Sequence, residues 1–162
     1  MDDTCNDIVI RAFRPEDQAA AQRLILGGLV EHWGYLDPSK NPDLDDIASA
    51  YADATFLLAW RGKELVGTGA LVHERDGAAR IVRMSVAPHM RRQGIATAIL
   101  QRLLRQAQAA GYRQIVLETT STWADAIAFY ERNGFRAIGS HDGDTHFVLD
   151  LSPPARNTLL RP

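Results

Sequence analysis

The hydrophobic period of this chain changes at Pro88. Ala79 to Val86 reads as an extended segment, whereas beyond the proline Ile95, Ile99, Leu103 and Ala107 recur every four residues. Ala96, Leu100 and Leu104 flank that stripe, and Arg102, Arg105 and Gln108 take the other face. An apolar stripe of this period buries one side of an α-helix. Gly111 stands where a left-handed cap closes such a helix, and Ile115 to Glu118 follows as a short strand of the buried type. A strand-helix-strand unit of this length implies two parallel strands joined by a right-handed crossover, so the chain belongs to the α/β class.

The remaining elements fit around that unit. Ile8 to Phe13 reads as a strand, and Arg14-Pro15-Glu16-Asp17 places proline and two acids in the first turn of a helix running to about Leu29. Glu31 to Asp46 is turn-rich and aromatic, and a short helix is expected from about Leu44 to Tyr51. Thr55 to Trp60, Glu64 to His73 and Ala79 to Val86 form a meander whose turns sit at Arg61-Gly62-Lys63 and Asp76-Gly77. Thr122 with Asp125 makes a capping-box pattern for a last helix closed by Asn133-Gly134, and Phe135 to Ile138 and His146 to Leu151 finish as strands. About seven strands and four helices in a mixed sheet are expected. A chain of 162 residues suits one domain, assigned to residues 1–151, and the proline-broken stretch from Ser152 onward is a tail over residues 152–162.

Composition narrows the partners. The formal net charge is -2, so general attraction to nucleic acid or to an anionic membrane is not expected. Arg80, Arg83, Arg91 and Arg92 lack the interleaved aromatics of a nucleic-acid surface. The single cysteine, Cys5, cannot form an internal disulfide, and the acidic start has no apolar run of signal or membrane length, so the expectation is a cytoplasmic protein that meets no membrane.

The chemistry concentrates where the period changes, from Met84 to Thr97. The first turn of a helix has amide N–H groups without intrahelical partners and carries the positive end of the dipole, which attracts phosphate. Gly94 and Ala96 leave room for close approach, and Arg91 and Arg92 add charge. A diphosphate is the natural ligand. Gly-x-Gly-x-x-Gly and Gly-Lys-Ser/Thr patterns are both missing, which disfavours the common nucleotide folds.

Arg91-Arg92-Gln93-Gly94-Ile95-Ala96 resembles the Arg/Gln-x-x-Gly-x-Gly/Ala signature of the GNAT acetyltransferases. Ala126-Ile127-Ala128-Phe129-Tyr130, running on to Gly134-Phe135, resembles that family's second element. The order of elements from Ile8 to Leu151 fits as well. The resemblance implies the GNAT fold and acetyl-CoA as co-substrate: backbone groups of Met84, Ser85 and Val86 pair with the pantetheine arm, and amides of Arg91, Arg92, Gln93, Gly94, Ile95, Ala96 and Thr97 hold the pyrophosphate. It implies Tyr130 as the acid near the CoA sulfur, with ring packing as the alternative. It further implies Glu118 as the base for the acceptor amine, although a carboxylate there could equally hold a strand end or bind the substrate's ammonium; His73 and Glu74 are further alternatives for the base. Trp123 stands where many members carry an asparagine contacting pantetheine, and Arg80 stands about where histone-type members place a catalytic glutamate.

Trp33 and Tyr35 could wall an acceptor pocket or pack between lid and core. The expectation is metal-free, direct acetyl transfer to a primary amine of a small molecule. A protein N-terminus or lysine as acceptor, a CoA-binding module without catalysis, and a homodimer all remain open.

Overall fold

Strand β1 (Ile8–Ala12) leads through a proline-started 3-10 turn, Pro15–Asp17, into α1 (Gln18–Trp33). The computed structural model describes residues 7–37 and 39–152; Cys5 and the tail from residue 153 lie outside the described residues. Asp17 is buried at the start of α1, where it accepts from Arg11 Nη1 and Nη2 at 2.7 and 2.9 Å and from the Arg14 N–H at 2.8 Å.

Helix α1 runs one turn beyond the expected end at Leu29. Leu26 and Leu29 pack against the core and carry the helix across Gly27 and Gly28. A Cβ on Gly28 would crowd Ser85 Oγ at 3.3 Å. The helix stops at Gly34, whose φ of 77° and N–H to the Val30 carbonyl form a left-handed cap. The helix expected from Leu44 to Tyr51 is broken in two, a 3-10 turn at Pro42–Leu44 and α2 (Ile47–Ala50). Asp46 causes the break by taking the N-cap position, its side chain accepting from the Ser49 N–H at 3.1 Å. Gln18 of α1 fastens this segment by donating to the Leu44 carbonyl and accepting from the Ile47 N–H.

Strands β2 (Thr55–Arg61), β3 (Glu64–His73) and β4 (Ala78–Val86) follow the expected meander, with Asp76 and Gly77 both left-handed in the second turn. Helix α3 (Ile95–Ala109) buries Ile95, Ile99, Leu103 and Ala107, and Gly111 at φ 88° caps it. Two glycines of β3 let α3 come close: a Cβ on Gly67 would strike Ile95 and Ile99 at 2.8 Å, and one on Gly69 would strike Ile99 at 2.6 Å.

Strand β5 (Gln114–Thr120) pairs in parallel with β4 over Ala78–Arg80, as the crossover rule requires. Helix α4 (Ala124–Arg132) opens without the expected capping box. Trp123 is the N-cap and no side chain caps it; Thr122 lies one residue too early, which leaves Asp125 in the first turn facing only the dipole. Strands β6 (Arg136–His141) and β7 (Asp144–Asp150) complete a seven-stranded mixed sheet in the order β1-β2-β3-β4-β5-β7-β6.

The described residues group into two compact units. The first takes residues up to His73 together with Ile81–Leu103; its core includes Ala21, Ile25, Leu44, Ile47, Phe56 and Leu58. The second takes Glu74–Arg80 and the chain from Leu104 onward, with Ile115, Leu117, Phe135 and Phe147 buried.

Candidate functional site

In the first unit the site begins inside β4. Arg83 has a φ of +58°, a left-handed conformation that costs an L residue roughly 1–2 kcal/mol. Its surroundings hold it there. The buried Thr68 hydroxyl donates to the Arg83 carbonyl at 2.7 Å, and the guanidinium forks onto Asp43 at 2.6 and 2.9 Å and onto Asn41 at 3.1 Å. Tyr51 adds a hydroxyl to the same aspartate at 2.6 Å. Burial and the neighbouring carboxylate push the Tyr51 phenol up to about 12. For Asp43 burial works in the raising direction, but the Arg83 and Tyr51 hydrogen bonds outweigh it and hold the carboxyl below its ordinary value. A left-handed residue within a strand interrupts the ladder and re-aims the backbone beyond it, here Met84, Ser85 and Val86.

The chain then leaves the sheet. The Ala87 N–H bonds to the Val66 carbonyl at 2.9 Å, and Pro88–Met90 makes a 3-10 turn. Arg92 and Gly94 are both left-handed, at 62° and 82°. The first bond of α3 runs from the Ala98 N–H to the Gly94 carbonyl, so the amides of Ile95, Ala96 and Thr97 have no acceptor inside the helix. Ile95 itself is buried, which leaves only its backbone for a ligand. Arg92, Gln93 and Gly94 are exposed, and a Cβ on Gly94 would meet nothing within 4 Å. A row of amides at a helix start beside open space suits a diphosphate.

Arg91 takes a partner the sequence did not disclose. Its two terminal nitrogens fork onto Glu31 near the end of α1, both at 2.7 Å, while Nε reaches the Val86 carbonyl at 3.3 Å. The hydrogen bond from Arg91 is the main reason the Glu31 carboxyl sits below its ordinary value. Trp33 ends α1 edge-on to His32, and Tyr35 follows the cap. They are 49% and 65% exposed, so neither is packed between a lid and the core.

In the second unit β5 and β7 pair antiparallel with Glu118 opposite His146 and Leu117 opposite Phe147. Side chains alternate across a strand, so Glu118 and His146 share one face and Leu117 and Phe147 the other. Tyr130 of α4 packs on the Phe147 face, its ring 6.0 Å from Phe147, 5.6 Å from Phe135 and 5.1 Å from Phe129. It is 8% exposed, and burial pushes its hydroxyl well above the ordinary phenol value, which keeps the proton in place at neutral pH. Glu118 is 40% exposed and receives Arg80 Nη1 on Oε2 in a very short contact. Arg80 Nε also donates to Glu74 Oε1 at 2.5 Å. Burial opposes the charge on Arg80, but Glu74 and Glu118 together raise its pKa above the ordinary value. Of the other two residues weighed as bases, Glu74 is therefore tied to Arg80, and His73 sits exposed at the end of β3.

The sequence profile of the acetyltransferase (GNAT) family matches residues 19–135. N-acetylaspartate synthetase of Rattus norvegicus is 35% identical over 119 residues, which are 71% of this chain and 39% of the synthetase. The chain thus spans about two-fifths of the length of that relative. IAA acetyltransferase of Azospirillum brasilense is 32% identical over 135 residues, 82% of this chain and 87% of that protein. Among solved structures, a GNAT-family acetyltransferase from Staphylococcus aureus Mu50 superposes with a TM-score of 0.83 at 22% identity, over 90% of this chain and 100% of that one. PaiA N-acetyltransferase from Thermoplasma acidophilum, in complex with coenzyme A, gives 0.78 at 18% identity over 90% and 100%. At those identities the two structures speak for a common fold.

Proposed function

Since the chain belongs to the acetyltransferase (GNAT) family, we propose that it transfers the acetyl group of acetyl-CoA directly to a primary amine of a small molecule. One observation carries the cofactor half of this reading: amides without helical acceptors from Ile95 to Thr97 open beside an exposed, left-handed Gly94. Met84, Ser85 and Val86 would bind the pantetheine arm through their backbone, and Arg91 to Thr97 the diphosphate. Two relatives, an N-acetylaspartate synthetase and an IAA acetyltransferase, support a small acceptor. Trp33 and Tyr35 are proposed as acceptor contacts, because both present large apolar rings to solvent.

Acetyl transfer needs a neutral amine, a polarised thioester carbonyl and a proton for the departing thiolate. Tyr130 is proposed as the proton donor, since burial keeps its hydroxyl protonated. Glu118 is proposed as the carboxylate of the group that takes the proton from the acceptor's ammonium.

Calorimetry with CoA tests the cofactor half. Gly94→Glu should abolish CoA binding while circular dichroism shows a retained fold, because a negative side chain would fill the diphosphate's place. Gly94→Ala carries the backbone strain without the charge and should bind more weakly than the parent but measurably. Unchanged affinity in Gly94→Glu would remove this site from the account.

A further inference from the structure

His146 is the titratable side chain closest in character to a proton acceptor on the Glu118 face, and the proposed reaction has not yet used it. It stands directly opposite Glu118 in the β5–β7 ladder, with Nδ1 3.5 Å from Glu118 Oε2. That same oxygen already carries Arg80. A proton arriving on this oxygen would have to displace the guanidinium. The imidazole has no such competitor for its second nitrogen, and a neutral ring offers a lone pair there. When Nδ1 faces a carboxylate, the proton of the neutral ring settles on Nδ1 and the lone pair is left on Nε2. His146 is 37% exposed, which leaves its ring open to an incoming amine.

We infer that His146 takes the acceptor's proton at Nε2, with Glu118 as the carboxylate that orients the ring and Arg80 as the cation that holds Glu118 in place. This rests on the reading of the chain as an acetyltransferase for primary amines. The acceptor's ammonium gives one proton to Nε2, which passes it to solvent. The freed amine attacks the thioester carbonyl, a C–N bond forms and the C–S bond breaks. Nitrogen loses a second proton to water, and the thiolate takes one from Tyr130, which is then reprotonated from water. The products are the amide, the CoA thiol and one proton released.

Charged groups stand near His146 on neighbouring strands and on its own. Glu118 faces it from β5, backed by Arg80 of β4 and Glu74 ahead of that strand. On its own strand Asp144 shares its face, and His141 of β6 pairs with Asp144; Gly139 is the β6 residue opposite His146.

Two measurements on the full chain test the assignment. Nitrogen NMR of the ligand-free protein above the ring's titration should find the proton of His146 on Nδ1, and Glu118→Gln should shift the population toward the Nε2–H form. With an amine that the parent acetylates, His146→Gln should lower kcat/KM about 10²–10⁴-fold below the amine's own pKa, and the acidic limb of the parent's pH profile should vanish. Added imidazole should restore part of the rate to His146→Ala. An Nε2–H tautomer in the parent, or a His146→Gln enzyme that keeps the parent's rate and acidic limb, would overturn the inference while the acetyltransferase reading stands. A parent that acetylates no primary amine removes that reading, and the inference falls with it.

Discussion

Tyr130 illustrates what a single residue contributes beyond its packing. Its ring packs against Phe129, Phe135 and Phe147, a role phenylalanine could fill, whereas its hydroxyl is held protonated by burial. Tyr130→Phe should therefore keep the fold and the affinity for CoA but lower kcat about 10²–10⁴-fold, the usual contribution of a positioned acid. Steady-state kinetics beside calorimetry checks this, and equal rates would make Tyr130 a packing residue. Other residue-level features were hidden in the sequence for a physical reason. Glu118 could be singled out by its distance from Tyr130, but Arg80, which occupies it, comes from another strand. Arg91 could be assigned to an anion site, but its partner Glu31 lies 60 residues away, and only folding brings the two together. Nothing local marks Arg83 as left-handed either; Thr68 and Asp43 impose that conformation from neighbouring segments. His146 reads as an ordinary strand residue until the register of β5 and β7 sets it against Glu118.

At the scale of elements, legibility follows the locality of the signal. The change of period at Pro88, the left-handed Asp76-Gly77 turn and the caps at Gly111 and Gly134 all depend on a few adjacent residues, and all are present. The misjudged ends depend on distant packing. Helix α1 crosses two glycines because Leu26 and Leu29 find the core, and Thr122 loses its capping role because the chain enters α4 one residue later. The start of α1 carries a testable electrostatic load. The hydrogen bond from Arg11 is the largest influence on Asp17 and lowers its pKa, burial opposes this in part, and the Arg14 N–H adds to the lowering. A depressed folded value means that the stabilisation is fully present above the unfolded value of 3.8 and is lost as the pH falls through the folded one. Asp17→Asn should thus cost about 1–3 kcal/mol at pH 7, and its stability should approach the parent's only well below pH 3.8. Urea unfolding at the two pH values reads both quantities; a constant difference would show that the carboxylate's charge is not what anchors the helix.

For the whole molecule, the order of seven strands and four helices was legible because one strand-helix-strand unit fixes the parallel pair and short turns fix most of the rest. Composition could only set limits on partners, and the near-neutral charge says nothing about which amine is acetylated. Among the described residues no helix is long and apolar enough to cross a membrane. The account as a whole comes down to whether this chain moves an acetyl group onto a free amine. Incubation of the protein with acetyl-CoA and a panel of amino acids, polyamines and aromatic amines, with thiol release and the acetylated product followed together, decides the matter. The account predicts thiol release that depends on one class of primary amine and matches its acetylated product mole for mole. Tight CoA binding with no amine-dependent release across the panel would contradict it and leave a CoA-binding module in its place.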